Sequence, residues 1–182
     1  MQKEEGKRTT LEGRRSMFRR TMVAIIGLMA LGVGLIGSAV ATPVVSATAE
    51  TARGPLVDRP LDVNWRFAPE TKVKLQTQGP IEVAAQRIVI QPGGTLGWHS
   101  HPGPTVVTVL SGTMSFYHAE HCTQEIEYGP GTSFSNMPDE IHMARNEGSV
   151  DLVVFASYFV PAGTPPVALR INQPSPGVGC PE

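Results

Sequence analysis

Apolar residues along this chain gather in short runs broken by glycine and proline, and no window sustains the 3.6-residue period of an amphipathic helix. Residues 81–90 close on Ile88-Val89-Ile90 and predict a strand. Residues 105–110, 113–118, 126–128 and 132–135 predict further short strands. Residues 152–160 are apolar at nearly every position, which suits a strand covered on both faces. Upstream, residues 61–67 predict a short strand, and Lys72, Val73, Lys74 and Leu75 alternate. Turn residues stand at 91–94, 102–104 and 111–112. Many short strands with this punctuation predict an all-β fold, a single antiparallel β-barrel or sandwich.

The N-terminus reads differently. Residues 1–20 hold seven basic and three acidic side chains, and residues 21–49 hold no charge. A positive flank, an apolar stretch over residues 22–41 and the small-residue site Ala39-Val40-Ala41 are the layout of a secretory signal peptide. Arg14-Arg15 followed by Ser16-Met17-Phe18 loosely resembles a twin-arginine export signal. The rival reading is an uncleaved membrane anchor, since about 20 apolar residues can span a bilayer. The Ala39-Val40-Ala41 site favours cleavage. Either reading places the domain outside the cytoplasm, with the membrane touched only through this segment. Residues 42–62, rich in Thr, Ala, Ser and Pro, read as a linker. The barrel is expected over residues 63–172 and a tail over 173–182. A length of 182 residues accommodates one such domain.

Candidate chemistry centres on His99-Ser100-His101. Side chains two apart on a strand share a face, so the pair is a ready clamp for a metal ion. Trp98 and Ser100 then face the other way, as packing and surface. From Gly93 through His99, His101 and Thr105 to Gly112, the spacing resembles the first motif of the cupin superfamily, whose usual form has glutamate where Thr105 stands. From Gly131 through Met137, Pro138, Asp139 and His142 to Asn146, the spacing resembles the second motif, with Met137 at its usual proline and Asp139 at its usual glycine. The resemblance implies a small antiparallel barrel and a metal site of His99, His101 and His142. It leaves the metal open among divalent transition ions (Fe, Mn or Zn). Thr105 is expected to leave a coordination position for water or substrate. With three neutral ligands the site is more positive than the usual one, which favours anionic or enolate-like ligands.

Glu140 lies two residues before His142. It is read either as a replacement ligand or general base, or as an exposed loop acid. Gly93, Gly112 and Gly131 are expected to permit turns, and Asn146 to hold one. Cys122 and Cys180 are an even pair in a chain expected to be exported, which predicts a disulfide pinning the tail. His118, His121 and Cys122 form a second histidine–cysteine grouping, read as a solvated loop.

No basic patch with interleaved aromatics is present, which argues against nucleic acid as a partner. Nor is there a nucleophile elbow, a phosphate loop or a pair of carboxylates. Two classes stay open. One is a metal-dependent enzyme resembling three-histidine dioxygenases or metal-dependent isomerases. The other is a non-catalytic module binding a small molecule or metal. A homodimer is compatible with either.

Overall fold

The computed structural model describes residues 44–57 and 60–182. The leader or anchor expected at residues 1–41 lies outside them. The described residues belong to one unit, Ala39–Glu182. Among them no helix is long and apolar enough to cross a membrane.

Among the described residues eleven strands follow one another: β1 (Val45–Pro55), β2 (Asp62–Ala68), β3 (Thr71–Gln76), β4 (Ile81–Ser100), β5 (Thr105–Ser111), β6 (Met114–His118), β7 (Ile126–Tyr128), β8 (Ser133–Asn136), β9 (His142–Arg145), β10 (Leu152–Pro161) and β11 (Ile171–Asn172). Nine of them form one antiparallel sheet in the order β7-β6-β9-β4-β10-β5-β8, with β1 and β11 added to β4. This sheet curls into a nearly closed barrel.

The 20-residue β4 is the hinge of that arrangement. Its first half pairs with β1 and β10, and its second half with β9 and β11. Residues 91–94, expected as a turn between two strands, are instead a bend within this one. The β1 register jumps there from Ala47 opposite Ile90 to Val45 opposite Thr95. Gly93 sits at φ 76°, where a side chain would be strained. Asn146 clamps the bend. Its carbonyl accepts from Gly93 N (2.8 Å), its own N–H donates to Gly94 O (3.0 Å), and its Nδ2 donates to Ile90 O (2.8 Å).

Two apolar clusters lie on the two faces of the wall. The inner one gathers the inward residues of alternating strands: Val107 and Val109 of β5, Leu152, Val154, Ala156, Tyr158 and Val160 of β10, and Ile88 and Ile90 of β4. The β10 alternation is one-sided, because Phe155 is exposed; the strand expected to be covered on both faces is covered fully on one. The second cluster is Trp98, Tyr117 and Met143, packed under Cys122 and Cys180.

Three expectations are corrected. Residues 45–55, read as linker, form β1, paired with β4 along its length. An edge strand that is mostly exposed needs no apolar stripe, and two of the residues it turns to the interior are only alanines, Ala47 and Ala49. The barrel therefore begins at Val45 and not at residue 63. Within the span read as barrel, β2 and β3 form a separate two-stranded hairpin. Val63 opposite Leu75 and Trp65 opposite Val73 give it one apolar face, and all four side chains are exposed. Ser100, expected at the surface, is buried because β11 pairs over it and Gln173 Nε2 donates to its Oγ at 3.1 Å.

Candidate metal centre

The cross-strand register builds the site. His99 of β4 stands directly opposite His142 of β9. His101 follows two residues after His99, on the same face and just past the strand end. Asp139 N donates to His101 O at 2.9 Å, which ties the two histidine-bearing segments together. Asp139 takes φ 60° at the position where the family usually has glycine. Aspartate is among the few residues that tolerate that conformation.

The three rings converge, with centroids 4.5–5.0 Å apart. One nitrogen from each lies within 4.8 Å of the other two. Every Nδ1 is committed to a backbone carbonyl: His99 to Gly97 O (2.7 Å), His101 to Leu169 O (2.7 Å) and His142 to Glu140 O (2.9 Å). A carbonyl only accepts, so each Nδ1 carries the proton and each Nε2 keeps a lone pair. Carbonyl partners of this kind fix the tautomer and orientation of metal-binding imidazoles.

Electrostatics hold the rings neutral. Burial, then the neighbouring His142 and His101, push His99 well below the usual histidine pKa. Burial, then His101, takes His142 down to about 3. Burial also lowers His101. A cluster of three unprotonated imidazoles with inward lone pairs is a donor set that suits a divalent transition ion.

The cluster opens onto a cavity of about 440 Å³. Its walls are mainly apolar and include Phe116, Phe134, Val107, Val154, Leu96 and Leu169. Phe116 stacks on His142 at 5.1 Å, and Tyr158 meets His101 edge-on at 5.3 Å. The Tyr158 hydroxyl donates to Gln86 Oε1 at 2.8 Å. Arg170 also lines the cavity, its guanidinium donating to Leu96 O. Among the described residues that line it there is no Asp or Glu.

The remaining candidates divide. Glu140 turns its carboxylate away from the three rings: Oε1 contacts His118 Nδ1 at 2.7 Å and Oε2 accepts from Met137 N at 2.9 Å. It serves the cluster through its backbone carbonyl. Cys122 and Cys180 form a disulfide, their Cα atoms 5.1 Å apart, so Cys122 carries no thiol for a site with His118 and His121. Thr105 is fully buried at 0% exposure, with no partner for its Oγ1. Three lining groups escaped the reading of the chain alone: Tyr158, Arg170 and Asn136. Asn136 is paired with Thr105 in the β5–β8 ladder and is 2% exposed. An inward asparagine at the end of a strand was the available signal, since a buried amide needs partners.

The family model of the cupin domain matches residues 86–158. No curated protein matches the sequence. Among solved structures, the chain is similar to a predicted oxalate decarboxylase from Thermotoga maritima, with 21% identity, a TM-score of 0.37, and 46% of this chain and 83% of that one covered. It is also similar to an oxalate oxidase, with 20% identity, a TM-score of 0.38, and 44% of this chain and 46% of that one covered. A third likeness is to the polyketide cyclase RemF from Streptomyces resistomycificus, with 20% identity, a TM-score of 0.42, and 52% of this chain and 64% of that one covered. The chain thus spans less than half the length of the oxalate oxidase. The segment that matches the cupin domain runs from the middle of β4 to the middle of β10 and holds all three clustered histidines.

Proposed function

We propose that this protein is an extracytoplasmic, metal-dependent cupin that takes one small organic anion into its cavity, beside a divalent cation held by His99, His101 and His142. The observation that carries the reading is the common arrangement of the three imidazoles. Each Nδ1 is spent on a carbonyl, leaving three Nε2 lone pairs in one mainly apolar cavity. When bound, the cation supplies a Lewis-acid centre with positions left for ligands, as in dioxygenase-like chemistry. The chain supplies the rest. Phe116, Phe134 and Val107 exclude water, Tyr158 and Gln86 hold one wall by their hydrogen bond, and Arg170 adds positive charge. With neutral histidines, a cationic Arg170 and no lining carboxylate, the chamber favours an anion. The Cys122–Cys180 disulfide supports an oxidising compartment.

One observation favours a second reading, a non-catalytic binding module. Among the described residues, none that lines the chamber is an Asp or Glu able to act as general base. Elemental analysis of the purified full chain, followed by an oxygen-uptake screen over small carboxylic acids, separates the two. Stoichiometric iron or manganese with acid-dependent oxygen uptake supports the enzyme. Stoichiometric metal with saturable acid binding and no turnover supports the module, and absence of metal binding contradicts both.

A further inference from the structure

The position where the cupin motif usually supplies glutamate is Thr105, and the residue paired with it across the β5–β8 ladder is Asn136. Asn136 is 2% exposed, and its Oδ1 is buried without a partner. The Thr105 hydroxyl opposite is likewise buried without a partner. Two unmet oxygens on paired inward residues are a standing cost that a protein keeps for a reason, because each such group sacrifices its hydrogen bonds with water.

The other end of the amide points to that reason. Asn136 Nδ2 lies 3.4 Å from His142 Nε2, the lone-pair nitrogen of the cluster. Two donor atoms sharing one ion, each about 2.1 Å from it, stand about 3.0–3.4 Å apart. The amide group therefore occupies the distance of a fellow ligand. Rotation of the amide by half a turn exchanges nitrogen and oxygen, whose assignment follows from the hydrogen-bond network. Without a cation the N–H end meets the His142 lone pair. With a cation on that lone pair, the N–H end would be repelled and the carbonyl end attracted.

Resting on the metal reading above, we infer that Asn136 Oδ1 is a fourth, neutral ligand of the cation, taking over from the opposite strand the role that the usual glutamate plays at position 105. Glu140 is not that replacement, since both its carboxylate oxygens are engaged by His118 and Met137 N. A neutral fourth donor keeps the site more positive than a carboxylate would, in line with an anionic ligand.

Cobalt(II) is the probe, added to the metal-free full chain and followed by visible absorption and chelator competition. Asn136→Leu should weaken cobalt affinity at least about 10-fold and change the ligand-field spectrum. Its metal-free melting temperature should hold or rise, because a buried amide oxygen without a partner is replaced by an apolar group. Asn136→Asp, which keeps the shape and adds charge, should tighten binding at least about 10-fold. Thr105→Glu should restore affinity in the Asn136→Leu background. Cobalt affinity within about 2-fold of the parent in both Asn136 variants, with unchanged spectra, overturns the inference and leaves the three-histidine reading standing. If Asn136→Leu does not fold, unchanged affinity in Asn136→Asp alone overturns it. A parent protein that takes up no cobalt overturns the metal reading beneath it.

Discussion

The Trp98 indole donates its Nε1 hydrogen to Pro181 O at 2.9 Å, so the strand that bears His99 is fastened from behind by the last residues of the chain. The Cys122–Cys180 bond and the packing of Cys122 and Cys180 on Trp98, Tyr117 and Met143 complete that fastening. The disulfide closes a loop of 58 residues. On the chain-entropy model it stabilises by about 4 kcal/mol. Urea unfolding of the oxidised protein and of the Cys122→Ser/Cys180→Ser variant should differ by about that amount. Superimposable curves would show that the tail contributes nothing.

Glu140 should act on the turn and not on the cation. Glu140→Gln weakens the contact to His118 Nδ1 (2.7 Å) and the acceptance from Met137 N (2.9 Å). The expected loss is about 1 kcal/mol of stability, with metal affinity changed less than about 2-fold. A 10-fold weaker affinity in that variant would return the carboxylate to the site.

Asp139 stands at φ 60° and ties its N–H to His101 O. Asp139→Gly should therefore be tolerated or stabilising, since glycine adopts that conformation without strain. Asp139→Val should cost about 1–2 kcal/mol and loosen His101. Equal melting temperatures for the two variants would contradict this account of the turn.

Acid should undo the fold through the histidine cluster. All three histidines have folded-state pKa values depressed below the ordinary 6.5, His142 to about 3, with burial the largest cause. A depressed histidine gives up protons on folding, so the unfolded chain binds more of them at mildly acidic pH. The contribution is intact above about pH 6.5 and is lost progressively as pH falls toward the folded-state value. Urea midpoints of the metal-free protein should fall between about pH 7 and about pH 4.5, and His142→Gln should flatten the fall. A midpoint independent of pH over that range would count against the neutral cluster.

Much of the centre was legible because its signals are local. His99 and His101 share a face by strand periodicity alone, and the spacing to His142 carried the family resemblance. The alternation of Val107 and Val109 marked β5 directly. What escaped depends on pairing. Asn136 gains meaning only opposite Thr105, a relationship set by the β5–β8 register. Val45–Pro55 read as linker because an edge strand lining a cavity with Ala47 and Ala49 needs small residues, and these leave no apolar period. The bend at residues 91–94 read as a strand boundary because Pro92, Gly93 and Gly94 give the same local signal whether the strand resumes or ends. Asn146, more than fifty residues away, holds the two halves of β4 together.

The most direct measurement is the metal content of the purified full chain beside that of His101→Ala, whose ring is held from outside the strand by Leu169 O. Both should first be shown to be folded by circular dichroism and then reconstituted with iron(II), manganese(II) or zinc(II) and desalted. The account predicts about one ion per parent chain and less than about a tenth of that in the variant. Equal metal in the two proteins, or none in a folded parent with any of the three ions, would contradict it.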